Sequence, residues 1–149
     1  MKGFKFKLNG LLKVREFKER TLKVELGEIL KQINGAEEEI LKLKKDIQET
    51  YEAQETFMAD PSAGEMIKFF PKFIETKNSA IDNQENLIYA LKKKFDSKQK
   101  ELATARGEVK VIENLKEKKQ TEYKKKLEKK HQENVDELVQ IRRILKGNS

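Results

Sequence analysis

Few side chains in this sequence are suited to bond-making chemistry. His131 is the sole histidine, and cysteine is absent. That removes disulfides, zinc fingers and thiol nucleophiles. His131 has no fixed partner in the sequence and reads as a solvated helix residue. Carboxylates are numerous, yet no spacing places two of them in a cleft, and neither a phosphate loop nor a metal-ligand pattern occurs. No catalytic, cofactor-binding or metal-binding residue is assigned, and an enzyme is not expected.

Binding chemistry is better represented. Lys116–Lys130 holds eight Lys and three Glu. Taken alone such a run is a solvated helix face, and its chemical alternatives are a nucleic acid or an acidic protein partner. Arginine is scarce there and Tyr123 is its only aromatic residue, so groove readout and base stacking are poorly served. Beyond it, Val135, Leu138, Ile141, Arg142 and Leu145 fall on one helical stripe. Met66, Ile67, Phe69, Phe70, Phe73 and Ile74 crowd into nine positions, the densest apolar cluster in the chain.

The elements that carry these residues follow from periodicity. From Leu22, alternate steps of four and three give Leu26, Ile29, Ile33, Ala36, Ile40, Leu43, Ile47, Thr50, Gln54 and Phe57. A 3.5-residue repeat keeps an apolar stripe on one line only when helices supercoil, so this is one arm of a coiled coil. A second arm repeats the pattern: Ile74, Ile81, Ile88, Leu91, Phe95, Leu102, Ala105, Val109 and Ile112, with Lys77, Gln84 and Lys98 as polar members. After Ile112 the frame fails, and apolar residues resume about one position out of phase at Tyr123, Leu127 and Val135.

Between the arms, Asp60-Pro61 disfavours helix, and Ser62-Ala63-Gly64-Glu65 has the form of a capping box. The expected fold is therefore all-α: a single coiled-coil domain, a long two-helix antiparallel hairpin with a longer, projecting C-terminal helix. Its first helix covers about 9–58, a turn with room for a short helix covers 59–71, and the second helix covers 72–145. With the turn centred near residue 65, residue i faces about 130 − i. The chain beyond about Tyr123 then overhangs without an intramolecular partner, by roughly twenty residues.

Residues 1–8 alternate apolar and basic, placing Phe4, Phe6 and Leu8 on one side. A frayed terminus is the plainer reading; an aromatic anchor that docks on a partner is the sharper one.

Composition agrees with a coiled coil: 40% of residues are charged and 36% apolar, with two Pro and no Trp. Net charge is +7, most of it in residues 59–149, with 21 Lys and Arg against 15 Asp and Glu. No stretch approaches the ~20 apolar residues of a membrane span. The basic opening lacks a signal peptide's apolar core. An intracellular chain without direct membrane insertion, monomeric when free, is expected.

Several stretches resemble one family. Phe4-Lys5-Phe6-Lys7-Leu8, followed by Leu11-Leu12-Lys13-Val14-Arg15-Glu16, looks like the start of FliJ, the small coiled-coil protein of the flagellar type III export apparatus. The likeness continues through Phe73-Ile74-Glu75-Thr76-Lys77-Asn78-Ser79-Ala80-Ile81. It is clearest over Ala105 to Lys119, where an Ala-Arg pair precedes the run Leu115-Lys116-Glu117-Lys118. Asp136-Glu137 sits where the family carries Asp-Glu near its end. Gly107, where the family commonly has a charged residue, and Pro71 depart from the pattern.

The resemblance implies a stalk similar in fold to the coiled coil of the rotary ATPase gamma subunit. Such a stalk inserts into the ring of the export ATPase FliI and promotes its assembly. It also contacts the export gate FlhA and helps recycle substrate chaperones. The location implied is the cytoplasmic face of the inner membrane at the flagellar base. On that basis the ATPase-facing residues are Phe4, Phe6, Lys116, Lys118, Lys119, Tyr123, Leu127, Val135, Leu138, Ile141, Arg142 and Leu145. The gate-facing residues are Phe69, Phe70, Phe73, Ala80 and Ile81. Two other functions fit the residues: a generic self-associating coiled-coil scaffold, and less well a basic nucleic-acid-binding coiled coil.

Overall fold

The computed structural model describes residues 3–147. Helix α1 covers Asn9–Met58 and helix α3 covers Phe70–Gly147. A 3-10 turn at Pro61–Ala63 and the short helix α2, Gly64–Ile67, connect them. No strand occurs among the described residues, and the fold class is an all-α helical hairpin.

The 3-4 ladders are the buried faces. In α1, Leu22, Leu26, Ile29, Ile33, Ala36, Leu43 and Thr50 are buried, and Ile40, Ile47, Gln54 and Phe57 are half-buried. In α3, Ile74, Ile81, Leu91, Leu102, Ala105, Val109 and Ile112 are buried. Ala105 is the most enclosed of these, at 1% exposure. Thr50 tolerates its seam position because its hydroxyl donates to the carbonyl of Asp46 at 2.7 Å, one turn back.

The chain divides into two compact units. Residues 20–103 form one, and the chain on either side of them forms the other. In the 20–103 unit, Ile29, Ile33 and Leu91 make a buried cluster against which Ile88 and Phe95 pack. The polar members of the α3 ladder are neutralised there rather than excluded. Lys98 Nζ lies 3.0 Å from Glu25 Oε2, and Lys77 Nζ lies 3.2 Å from Asp46 Oδ2. Glu25 precedes Asp46 while Lys98 follows Lys77, so the segments run antiparallel.

In the other unit Arg15 Nη1 meets Glu108 Oε2 at 2.6 Å, and Arg106 Nε meets Glu19 Oε1 at 3.5 Å, again antiparallel. Arg15 and Glu19 are the charged positions that break the ladder's extrapolation toward the N-terminus. Each is answered by an opposite charge on α3.

These pairs correct the register. The hairpin arithmetic puts Glu25 opposite Ala105, Asp46 opposite Gln84 and Arg15 opposite Leu115. The observed partners, Lys98, Lys77 and Glu108, are each one heptad nearer the turn. A seven-residue slip leaves every apolar position facing inward, so hydrophobic pattern cannot distinguish the two registers. Charge can: the observed register turns these positions into ion pairs, and the other would set them against uncharged residues.

The turn also differs in detail from a Ser62 capping box. Asp60 is the N-cap of the 3-10 turn; its Oδ1 accepts from Ser62 N at 3.0 Å and from Ser62 Oγ at 2.8 Å. The Ser62 backbone N–H, then its hydroxyl, hold the Asp60 carboxyl below the ordinary carboxylate value. Pro71 is the second residue of α3, in the first turn where a missing N–H breaks no helical bond. Gly107 lies on an exposed face, and open space surrounds the position a Cβ would occupy.

Candidate partner-binding surfaces

In the unit outside residues 20–103, residues 3–6 have no regular secondary structure, residues 7–8 form a turn and α1 begins at Asn9. The turn into α1 is closed by Asn9 N donating to Phe6 O at 3.2 Å. Phe6 is buried at 9% exposure with Leu12, Val109 and Ile112, and Phe4 and Leu115 pack against that cluster. The ring of Phe4 stands 5.6 Å from that of Tyr123. Residues 3–8 are thus a packed strap rather than a frayed end.

The candidate ATPase-facing residues therefore separate by environment. Phe6 is enclosed in the protein's own core. Phe4, Tyr123, Lys116 and Leu127 are half-buried, while Lys118 and Lys119 are exposed. Lys119 Nζ is 3.7 Å from Glu122 Oε2.

From Glu128 to Gly147 every residue of α3 is exposed. Val135 is 37% exposed, Leu138 62%, Ile141 52% and Leu145 66%, and Arg142 shares their face. Val139 and Ile144, which the 3-4 reading omits, are also exposed. At about 100° per residue, positions 135 to 145 without Ile144 fill an arc of roughly 160°. This is wider than a coiled-coil seam and closer to the face of a helix that enters a larger apolar site. Val139 was detectable in the sequence as the i+4 neighbour of Val135.

A second surface belongs to the 20–103 unit, where α3 begins. Phe70 is half-buried with its ring 5.8 Å from that of Phe57. Phe73 is 45% exposed, and Lys77 Nζ stands 5.1 Å from its ring centroid. Phe69 is 73% exposed. These three rings, with Asp46, Glu49, Thr50 and Ala53, line an open cavity of about 360 Å³. The remaining gate-facing candidates are less accessible: Ala80 is half-buried and Ile81 is 8% exposed in the seam. Only Phe69 and Phe73 of the five present substantial ring surface to solvent.

His131 is exposed. Among the described residues no group of His, Cys, Asp and Glu is arranged to hold a metal ion. No described helix is long and apolar enough to cross a membrane.

Comparison with curated proteins and with solved structures gave no match. A family model described as the flagellar FliJ protein matches residues 4–148. That span takes in the strap, both ladders, the aromatic turn and the exposed end of α3. FliJ is not itself a catalytic family. With the match running over nearly the whole chain, the protein belongs to the FliJ family of flagellar protein export components.

Proposed function

We propose that this chain is the stalk of the export ATPase, with the exposed end of α3 as the part that enters the FliI ring and promotes its assembly and turnover. One observation carries the reading: residues 128–147 form regular helix with an apolar arc and no intramolecular cover. Four large apolar side chains on one helix face would contribute ~6–12 kcal/mol if fully buried, before the costs of association. That is enough to bias a ring of weakly associated subunits. Lys118, Lys119, Lys124 and Lys126 lie just before the arc, placed to meet acidic groups as the helix enters. Lysine heads on long flexible stems allow such contacts to be exchanged as the ring changes state.

In the same reading, Phe69 and Phe73 meet the export gate FlhA, and the chain helps return substrate chaperones to it. The site of action is the cytoplasmic face of the inner membrane at the flagellar base. The match to FliJ supports these partners through the family, and the exposed rings supply a surface of suitable chemistry.

Removal of residues 128–149 tests the stalk. This truncation retains Tyr123 against Phe4 and leaves both ladders whole. The shortened protein is expected to keep the helical circular dichroism of its remaining residues, yet to stimulate neither ring formation nor ATP turnover by the cognate ATPase. A truncated chain that drives ring assembly at the same concentration as the full chain would refute the assignment.

A further inference from the structure

The strap creates a site separate from the exposed arc of α3. Phe4, Phe6, Leu8 and Leu115 form the apolar part of a cavity of about 370 Å³, and Lys5, Lys7 and Lys119 complete its lining. No carboxylate lines it. A neighbouring cavity of about 330 Å³ shares Phe4, Lys5 and Lys119 and adds Tyr123 and Lys126. Its one carboxylate, Glu122, is already engaged by Lys119 at 3.7 Å. The strap therefore edges a groove with apolar walls and a surplus of cations.

We propose that this groove receives a segment of a partner protein in which a large apolar side chain is flanked by Asp or Glu. The volume falls within the range of small-ligand sites and is ample for one or two such side chains. Carboxylates on either side would make charge-assisted hydrogen bonds to the heads of Lys5, Lys7 and Lys126, with Lys119 shared with Glu122. The groove is the wrong shape for the other anionic partners. The rings of Phe4 and Tyr123 already pack on each other at 5.6 Å with a 47° tilt, leaving that flank no parallel open pair between which bases could stack. A membrane would be met by apolar side chains that project, whereas Phe6 is buried and Phe4 half-buried.

This site shares Lys119 and Lys126 with the basic approach to the arc but none of the arc's apolar residues, and its test is arranged to fail separately. The probe is a short fluorescent peptide with a central Leu-Phe pair between Asp and Glu residues, titrated against the full chain by anisotropy. Saturable binding is expected, weakened at least tenfold by Lys5→Glu with Lys119→Glu, which reverses two exposed charges on the groove. Lys7→Glu alone should weaken it less, and Lys93→Glu, in the other unit, should leave it unchanged. Removal of residues 128–149 should also leave it unchanged, even where ATPase stimulation is lost. Circular dichroism of each variant establishes that the helices persist.

The proposal is overturned if Lys93→Glu weakens binding as much as the groove variants do. It is equally overturned if a peptide with Ser in place of Leu-Phe binds as tightly. Tighter groove-dependent binding of single-stranded RNA or of phosphatidylglycerol vesicles would also reject a protein segment as the occupant.

Discussion

Arg15 and Glu108 are 93 positions apart in the chain, and Arg15 Nη1 donates to Glu108 Oε2 at 2.6 Å. One turn further along α1, Glu19 accepts Arg106 with the charges reversed. The alternation makes the pairing selective: moving either segment by one heptad separates both pairs at once. These contacts are about one-third exposed at Arg15 and Glu108, so their value lies more in choosing a register than in total stability.

The first prediction follows from this pairing. Arg15→Glu should place two carboxylates together and lower the melting temperature, and Glu108→Arg should do the same with two guanidiniums. The double variant should recover most of the loss, with a coupling of about 0.5–1 kcal/mol for a pair this exposed. Thermal unfolding followed by circular dichroism measures it. Additive losses in the double variant would show that the pair does not define the register.

The second prediction concerns pH. The Glu25 carboxylate, with a further contribution from Glu101, raises the Lys98 ammonium above the ordinary lysine value. A raised cation stabilises the fold fully below its unfolded value, and that contribution disappears as pH climbs through the folded one. Asp60 has the opposite sign. Its lowered carboxyl stabilises the turn above the ordinary carboxylate value and ceases to do so as pH falls through the depressed one. Melting temperatures of the wild type and Lys98→Met should therefore differ at neutral pH and converge in strong alkali. Those of the wild type and Asp60→Asn should differ at neutral pH and converge in acid. A gap that is constant across pH would mean that neither ionised form contributes.

The seams were legible in the sequence because a 3-4 repeat has one physical explanation, and Leu22 through Phe57 satisfy it nearly without exception. Even the polar ladder members Lys77 and Lys98 were recognisable as members, although their acidic partners were not. Register was not legible, because a heptad slip preserves every apolar contact and only the placement of Asp46, Glu25 and Arg15 against opposite charges discriminates. The strap was half legible. Alternation placed Phe4 and Phe6 on one side, but the surface that buries them includes Val109 and Ile112, about a hundred residues away. Capping by Asp60 rather than Ser62 was hidden for a local reason: both residues are good caps, and Pro61 decides between them by starting the 3-10 turn directly after Asp60.

The third prediction separates folding from partner binding at the aromatic turn. Phe70 packs its ring against Phe57, whereas Phe69 is largely exposed and Phe73 is partly so, with Lys77 over its face. Phe70→Ala should cost about 1–3 kcal/mol, a fraction of what a fully buried Phe→Ala change removes, and should lower the melting temperature. Phe69→Ala removes little packing and should stay within about 0.5 kcal/mol of the wild type. If this surface meets the export gate, the order reverses for binding. Phe69→Ala should then weaken association with the cytoplasmic domain of the gate by about tenfold or more, as loss of an aromatic anchor does. Phe73→Ala should weaken it too while ATPase stimulation persists. Calorimetric titration beside thermal unfolding distinguishes the cases. If Phe69→Ala binds the gate as the wild type does, the open rings at the start of α3 are not the gate-binding surface.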